Sequence, residues 1–214
     1  MTDFYGRELG IDLAGPSAGR FSYPIGETVI EFVAASGEPF YHFALLVPGD
    51  RFDEALEWAD ARTELLPHPE SGEILFDFDN WGAYACYFQD PAGNIIELIA
   101  HRGVEETGAQ GELRPTEFVG LSELGLVGDP LAMAGRLTQQ LGLELWDGTV
   151  DEPGRLAFVG ERARTLILSP AGRGWLPTGR AAEPHAVDAL LAGRADADVD
   201  LEGSRYRIRS AAAA

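Results

Sequence analysis

The sequence predicts an α+β fold with more strand than helix, assembled from about two and a half βαβββ units. Three observations predict it. Only two stretches place apolar residues at helical spacing, short apolar runs mostly joined by turns surround them, and one order of segments recurs along the chain.

From the N-terminus, FSYPI and TVIEFVA read as strands, followed by FYHFALLV. The first helix is predicted over Asp50 to Thr63, with Phe52, Leu56 and Ala59 on one face and an aspartate at the N-cap. EILFDF, AYACYF and NIIELIA complete this unit as strands. LSELGLV opens the next. Its helix spans Asp129 to Leu141, with Leu131, Ala134, Leu137 and Leu141 on one face, Asp129 as N-cap, Pro130 in the first turn and Gly142 as the stop. RLAFV and TLILS are the strands after it. Beyond Gly172, RGWLPTG reads as an ordered turn, AVDALLAG as a short helix, SRYRIRS as an edge strand and the closing AAAA as disordered.

The repeat is visible on comparison. ELGIDL…GRFSYPIGETVIEFV matches QLGLELW…GRLAFVGERARTLILSP in the order helix end, loop, strand, turn, strand. The early copy lacks the strand and helix that precede the late one, so the first unit is incomplete. We expect residues 1–103 to hold that partial module and a complete one, 104–170 a second module, and 171–214 a C-terminal extension.

Net charge is −19, and every basic residue is arginine. Such a surface repels nucleic acid and anionic membranes, which excludes both as expected partners. The apolar runs are too short to span a bilayer and no export signal is present, so a cytoplasmic protein is expected. The single cysteine, Cys86, lies in a strand-like run and reads as a buried inert thiol.

The chemistry is expected in YFQDPAGNIIELI, residues 87–99. Pro91 and Gly93 supply a turn, so the flanking runs are antiparallel neighbours. Alternation puts Glu97 on one face with Ile95 and Ile99, where an ionised carboxylate is costly unless paired, hydrogen-bonded or metal-bound. In FYHFALLV, His42 shares a face with Phe40, Ala44 and Leu46. Glu31 occupies the place of Glu97 in the early copy, and Glu123 the place of His42 in the late one. Imidazole nitrogen with carboxylate oxygens suits Zn²⁺, Mn²⁺, Fe²⁺, Co²⁺ or Ni²⁺.

YHFA, the helix after it, YFQDPAGNIIEL and the flanking repeats resemble the vicinal oxygen chelate superfamily, which includes glyoxalase I, bleomycin- and fosfomycin-resistance proteins and extradiol dioxygenases. The resemblance covers roughly Phe4 to Pro170, and DP-x-GN-x-x-E is its most specific part. It implies βαβββ modules in a cupped, partly closed mixed sheet, with metal ligands on the first and last strands of each module. His42 and Glu97 match two ligand positions, Glu31 a third if the partial unit pairs with the middle one, and Glu123 a fourth if the last unit pairs with another rather than serving as a structural cap or dimer contact. Glu97 and Glu31 are the expected proton-moving carboxylates. In the last unit the position matching Glu97 falls at about Leu168, which binds no metal. The opening strand of the first unit is missing, so its ligand position is empty, filled by water or supplied by a second subunit, and a homodimer is expected.

The implied activity is metal-dependent chemistry on a small molecule whose neighbouring oxygens chelate the ion. A lyase or isomerase ranks first and a ring-cleaving dioxygenase second, because ring cleavage on iron usually uses two histidines and one carboxylate. The alternative is a metal-free drug- or metabolite-binding protein. Phe76, Trp81, Tyr84 and Tyr87 are candidates to line the cup, although alternation sends Tyr84 and Tyr87 to opposite faces. His68 and His101 are expected at loop and rim positions open to solvent.

Overall fold

In the computed structural model, which describes residues 1–212, the N-terminal strands form a sheet of their own. A π-helical turn, Phe4–Glu8, leads into β1 (Ala14–Ser17), β2 (Arg20–Ile25) and β3 (Thr28–Val33), antiparallel in that order. One side is aromatic: Tyr5 stacks on Tyr23 at 4.7 Å and Phe32 on Phe21 at 5.2 Å. With Phe32 turned inward, alternation turns Val29, Glu31 and Val33 to solvent.

The remaining strands up to Pro170 fall into two modules of one design. β4 (His42–Leu46), α1 (Phe52–Asp60), β5 (Phe76–Phe78), β6 (Ala83–Gln89) and β7 (Ile95–His101) make the first. β8 (Gly120–Gly128), α2 (Pro130–Leu141), β9 (Leu145–Gly148), β10 (Ala157–Glu161) and β11 (Arg164–Pro170) make the second. The eight strands form one mixed sheet in the order β5-β6-β7-β4-β8-β11-β10-β9. In each module the first strand pairs parallel with the last, β4 with β7 and β8 with β11, while the other neighbours run antiparallel. Parallel partners need a long crossover, which is why each module carries its helix straight after its first strand. The chain divides into two compact units, Met1–Ser122 and Glu123–Ala214, with the division inside β8.

The helices differ in how they start. Asp129 caps α2 as expected, accepting from the Leu131 and Ala132 amides at 3.1 Å each, and Gly142 closes it in the left-handed region at φ 65°. α1 starts at Phe52 without a side-chain cap. Asp50 instead accepts from the Thr107 and Gly108 amides, holding the loop after β7, and these bonds keep its carboxyl below its ordinary pKa. Arg51, fully buried, bonds Glu54, Glu117 and the Gly111 carbonyl. Phe52, Ala55, Trp58 and Ala59 form the buried face of α1, and each large side chain contributes roughly 2–3 kcal/mol.

The turn between β6 and β7 is a polar lock. One oxygen of buried Asp90 accepts from the Ala92 and Asn94 amides, and the other from the Asn94 side chain at 2.7 Å and the Tyr5 hydroxyl at 2.8 Å. Asn94 in turn accepts from the Tyr41 amide at 2.8 Å, which fixes the entry to β4. Gly93 takes φ 79°, the positive value that glycine tolerates.

The C-terminal segment departs from expectation. AVDALLAG is a strand, β12 (Val187–Ala192), not a helix. It pairs parallel with β14 (Tyr206–Ala211), which lies between it and β13 (Ala197–Leu201) and is therefore central, not an edge. Val187, Ala189 and Leu191 pack against the buried cluster of Met133, Leu137, Leu166, Leu168 and Ile208. So short a run gains little from helix propensity, and the β14 backbone offers a full ladder. Of the closing alanines, Ala211 ends β14, and the last two lie outside the described residues. Among the described residues no helix is long and apolar enough to cross a membrane.

Candidate metal centre

Register decides which side chains share a face. β4 pairs with β7 so that His42 lies beside Ile95 and Ala44 beside Glu97, and β6 puts Tyr87 on the other side of Glu97. His42, Glu97 and Tyr87 therefore project together, away from the face on which Phe43, Ile96, Leu98, Cys86 and Phe88 stand. His42 Nε2 lies 3.6 Å from a Glu97 carboxylate oxygen, and both residues are buried.

The histidine is aimed by its other nitrogen. Nδ1 lies 3.2 Å from the Ile95 carbonyl oxygen. A carbonyl only accepts, so Nδ1 carries a proton in this contact, and Nε2 is the ring nitrogen turned toward the Glu97 carboxylate. Among the described residues, His42, Glu97 and Glu123 each offer a donor atom, all within 4.8 Å of one another and all buried. Burial pushes the Glu123 carboxyl up to about 8, as expected of a carboxyl withdrawn from water.

Glu31 is not brought to this group. It sits on β3, an edge strand of the three-stranded sheet, 45% exposed, with Arg20 at 3.7 Å. β3 holds the place in the partial module that β7 holds in the complete one. Among the described residues no strand pairs parallel with β3, and alternation turns Glu31 to the face opposite buried Phe21 and Tyr23. The second module also needs a correction of one residue. β8 and β11 pair Glu123 with Thr165 and Gly125 with Ile167, so Ile167 takes the place equivalent to Glu97, while Leu168 faces the α2 core.

Other expected positions resolve plainly. His101, expected at the rim, is fully buried. β7 continues through it, and the chain at Gly49 passes so close that a Cβ there would lie 2.1 Å from the His101 carbonyl oxygen. Tyr87 lies beside the histidine, ring centroids 6.3 Å apart, with Phe76 edge-on to it at 4.7 Å. Tyr84 faces the other way, against Phe52 of α1. Trp81 lies tilted against Phe78, ring centroids 5.4 Å apart. His68 serves its own turn, its Nδ1 accepting from the Glu70 and Ser71 amides. Cys86 is buried with its thiol pushed up to about 12, chiefly by burial and then by the Glu97 charge, which leaves it inert as expected.

No protein-family model matches this chain, and no curated protein matches it. Solved structures do. A candidate dioxygenase from Bacillus subtilis subsp. subtilis str. 168 superposes with a TM-score of 0.57 at 16% identity, covering 98% of this chain and 80% of that one. A variant of glyoxalase I from Zea mays gives 0.52 at 15% identity over 98% of this chain and 87% of that one. A second maize glyoxalase I variant gives 0.50 at 16% identity, over 87% and 67%. Identities this low speak to architecture alone. With the βαβββ modules and the mixed eight-stranded sheet, they establish that the chain has a glyoxalase-like fold.

Proposed function

We propose that the protein is a metal-dependent enzyme acting on a small, oxygen-bearing molecule, with His42, Glu97 and Glu123 as ligands of a divalent ion. The observation that carries this reading is the convergence of one imidazole and two carboxylates, all buried, within 4.8 Å. The donor set fits a borderline first-row ion such as Zn²⁺, Mn²⁺, Fe²⁺, Co²⁺ or Ni²⁺. Two neighbouring buried carboxylates also fit one, because a divalent ion offsets the cost of holding negative charge away from water. When bound, such an ion supplies Lewis-acid stabilisation of negative charge developing on a substrate oxygen.

The chain's own residues do the rest. The Nδ1–H bond to Ile95 holds the His42 ring in place. Tyr87 and Phe76 form an apolar wall beside it that excludes water. A Glu97 carboxylate oxygen is the candidate to take a proton from a substrate carbon and return it, which favours a lyase or isomerase. A ring-cleaving dioxygenase ranks second: the Bacillus neighbour is a candidate dioxygenase, but the group holds a single histidine where ring cleavage on iron usually uses two. The aromatic wall alone would also suit a metal-free binding protein, and two buried carboxylates would then serve no purpose.

Metal analysis of protein purified without chelator, followed by manganese titration, tests the reading. We expect about one ion per chain, an affinity loss beyond the roughly 10–100-fold typical of outer-shell changes in His42→Ala and Glu97→Gln, and none in Glu31→Ala. Occupancy below about 0.1 equivalent with no uptake on titration sinks the enzyme and favours the binder.

A further inference from the structure

The second module carries a polar group that the ligand set does not use. Thr165 on β11 is the in-register parallel neighbour of Glu123 on β8, so the two side chains stand side by side on one face. Thr165 is 6% exposed, and its hydroxyl, shielded from water, has no hydrogen-bond partner among the described residues. In the first module the same position, beside His42, is held by Ile95. The modules thus exchange polarity: apolar Ile95 with ligating Glu97 in one, hydroxylic Thr165 with apolar Ile167 in the other. An unsatisfied buried hydroxyl is a standing cost of about 1–3 kcal/mol, tolerable where another state of the site satisfies it.

We propose that Thr165 is a positioning residue for Glu123: with an ion bound, its hydroxyl donates a hydrogen bond to the Glu123 carboxylate and holds the ligating oxygen in place. The inference rests on the metal reading above. His42 is aimed through Nδ1 by its own strand partner, the Ile95 carbonyl. Glu123 has a flexible side chain and gains the equivalent restraint from the residue beside it. Partners of this kind typically change metal affinity 10–100-fold.

Thr165→Val keeps the shape and removes the hydroxyl, and Thr165→Ser restores it. Manganese binding is measured by calorimetry on the full chain after chelator treatment, and metal-free stability by urea unfolding. We expect Thr165→Val to bind manganese 10–100-fold more weakly, Thr165→Ser to bind within about threefold of the parent, and the metal-free valine variant to be at least as stable as the parent. That opposition of signs separates positioning from packing. A valine variant that binds manganese like the parent overturns the inference and leaves the metal centre standing, and one that loses affinity and metal-free stability together shows a packing role and overturns it too. Absence of uptake by the parent chain removes the metal centre and the inference with it. If the valine variant does not fold, Thr165→Ala is read by the same criteria.

Discussion

Glu123 gives the metal-free protein a pH-dependent contribution to stability. Its folded pKa is raised by burial from the ordinary 4.5 to about 8, so between those values the folded state holds a proton that the unfolded chain releases. The stabilisation is therefore full below about pH 4.5 and is lost as pH rises through about 8. Urea unfolding of chelator-treated protein should fall across this window by on the order of a few kcal/mol, and saturating manganese should flatten the fall, because the ion takes the proton's place. A flat metal-free profile would mean that Glu123 ionises in the fold without penalty. Glu31 makes the contrast. It holds the repeat position of buried Glu97, yet at 45% exposure beside Arg20 it needs no partner from the interior. Alternation correctly foretold that His42 and Glu97 face one side, but it could not tell which of two equivalent-looking glutamates would be buried.

At the scale of elements, the β6–β7 turn shows sequence chemistry acting locally and at a distance together. Asp90 accepts four hydrogen bonds, three from its own turn and one from Tyr5 in the N-terminal π-helical turn. Asp90→Ala should destabilise the protein by about 3 kcal/mol and Tyr5→Phe by about 1 kcal/mol. Denaturant midpoints check both, and a change below about 0.5 kcal/mol for Asp90→Ala would leave the lock without energetic weight. The turn was legible from Pro91 and Gly93. The tie to Tyr5 was not, because eighty-five positions separate the partners. The helices repeat the lesson. Asp129 and Gly142 bracket α2 as local rules require, whereas Asp50, equally well spelled as a cap, is drawn to the Thr107 and Gly108 amides. β12 departs from its expected helix for a related reason: alanine and leucine favour a helix in isolation, and the strand exists because β14 lies beside it.

At the scale of the molecule, all three donor residues come from one chain. Manganese affinity and a stoichiometry of about one ion per chain should therefore not depend on protein concentration, whatever oligomer light scattering reports. Affinity that rises with concentration in step with dimer formation would mean that a second chain completes the centre, as the incomplete first module once suggested. What the sequence determined by itself was everything set by near neighbours: the alternation that turns His42 and Glu97 to one side, the repeat of the βαβββ unit, the cap and stop of α2, and the DPAGN turn. Only the tertiary structure decided which first strand gains a parallel partner, and so put Glu123 rather than Glu31 with His42 and Glu97 and set Thr165 beside it. The reason is physical. Side-chain alternation fixes the face of a strand, but the neighbour along its edge is chosen by backbone ladders and buried area assembled from distant segments, which no local pattern encodes.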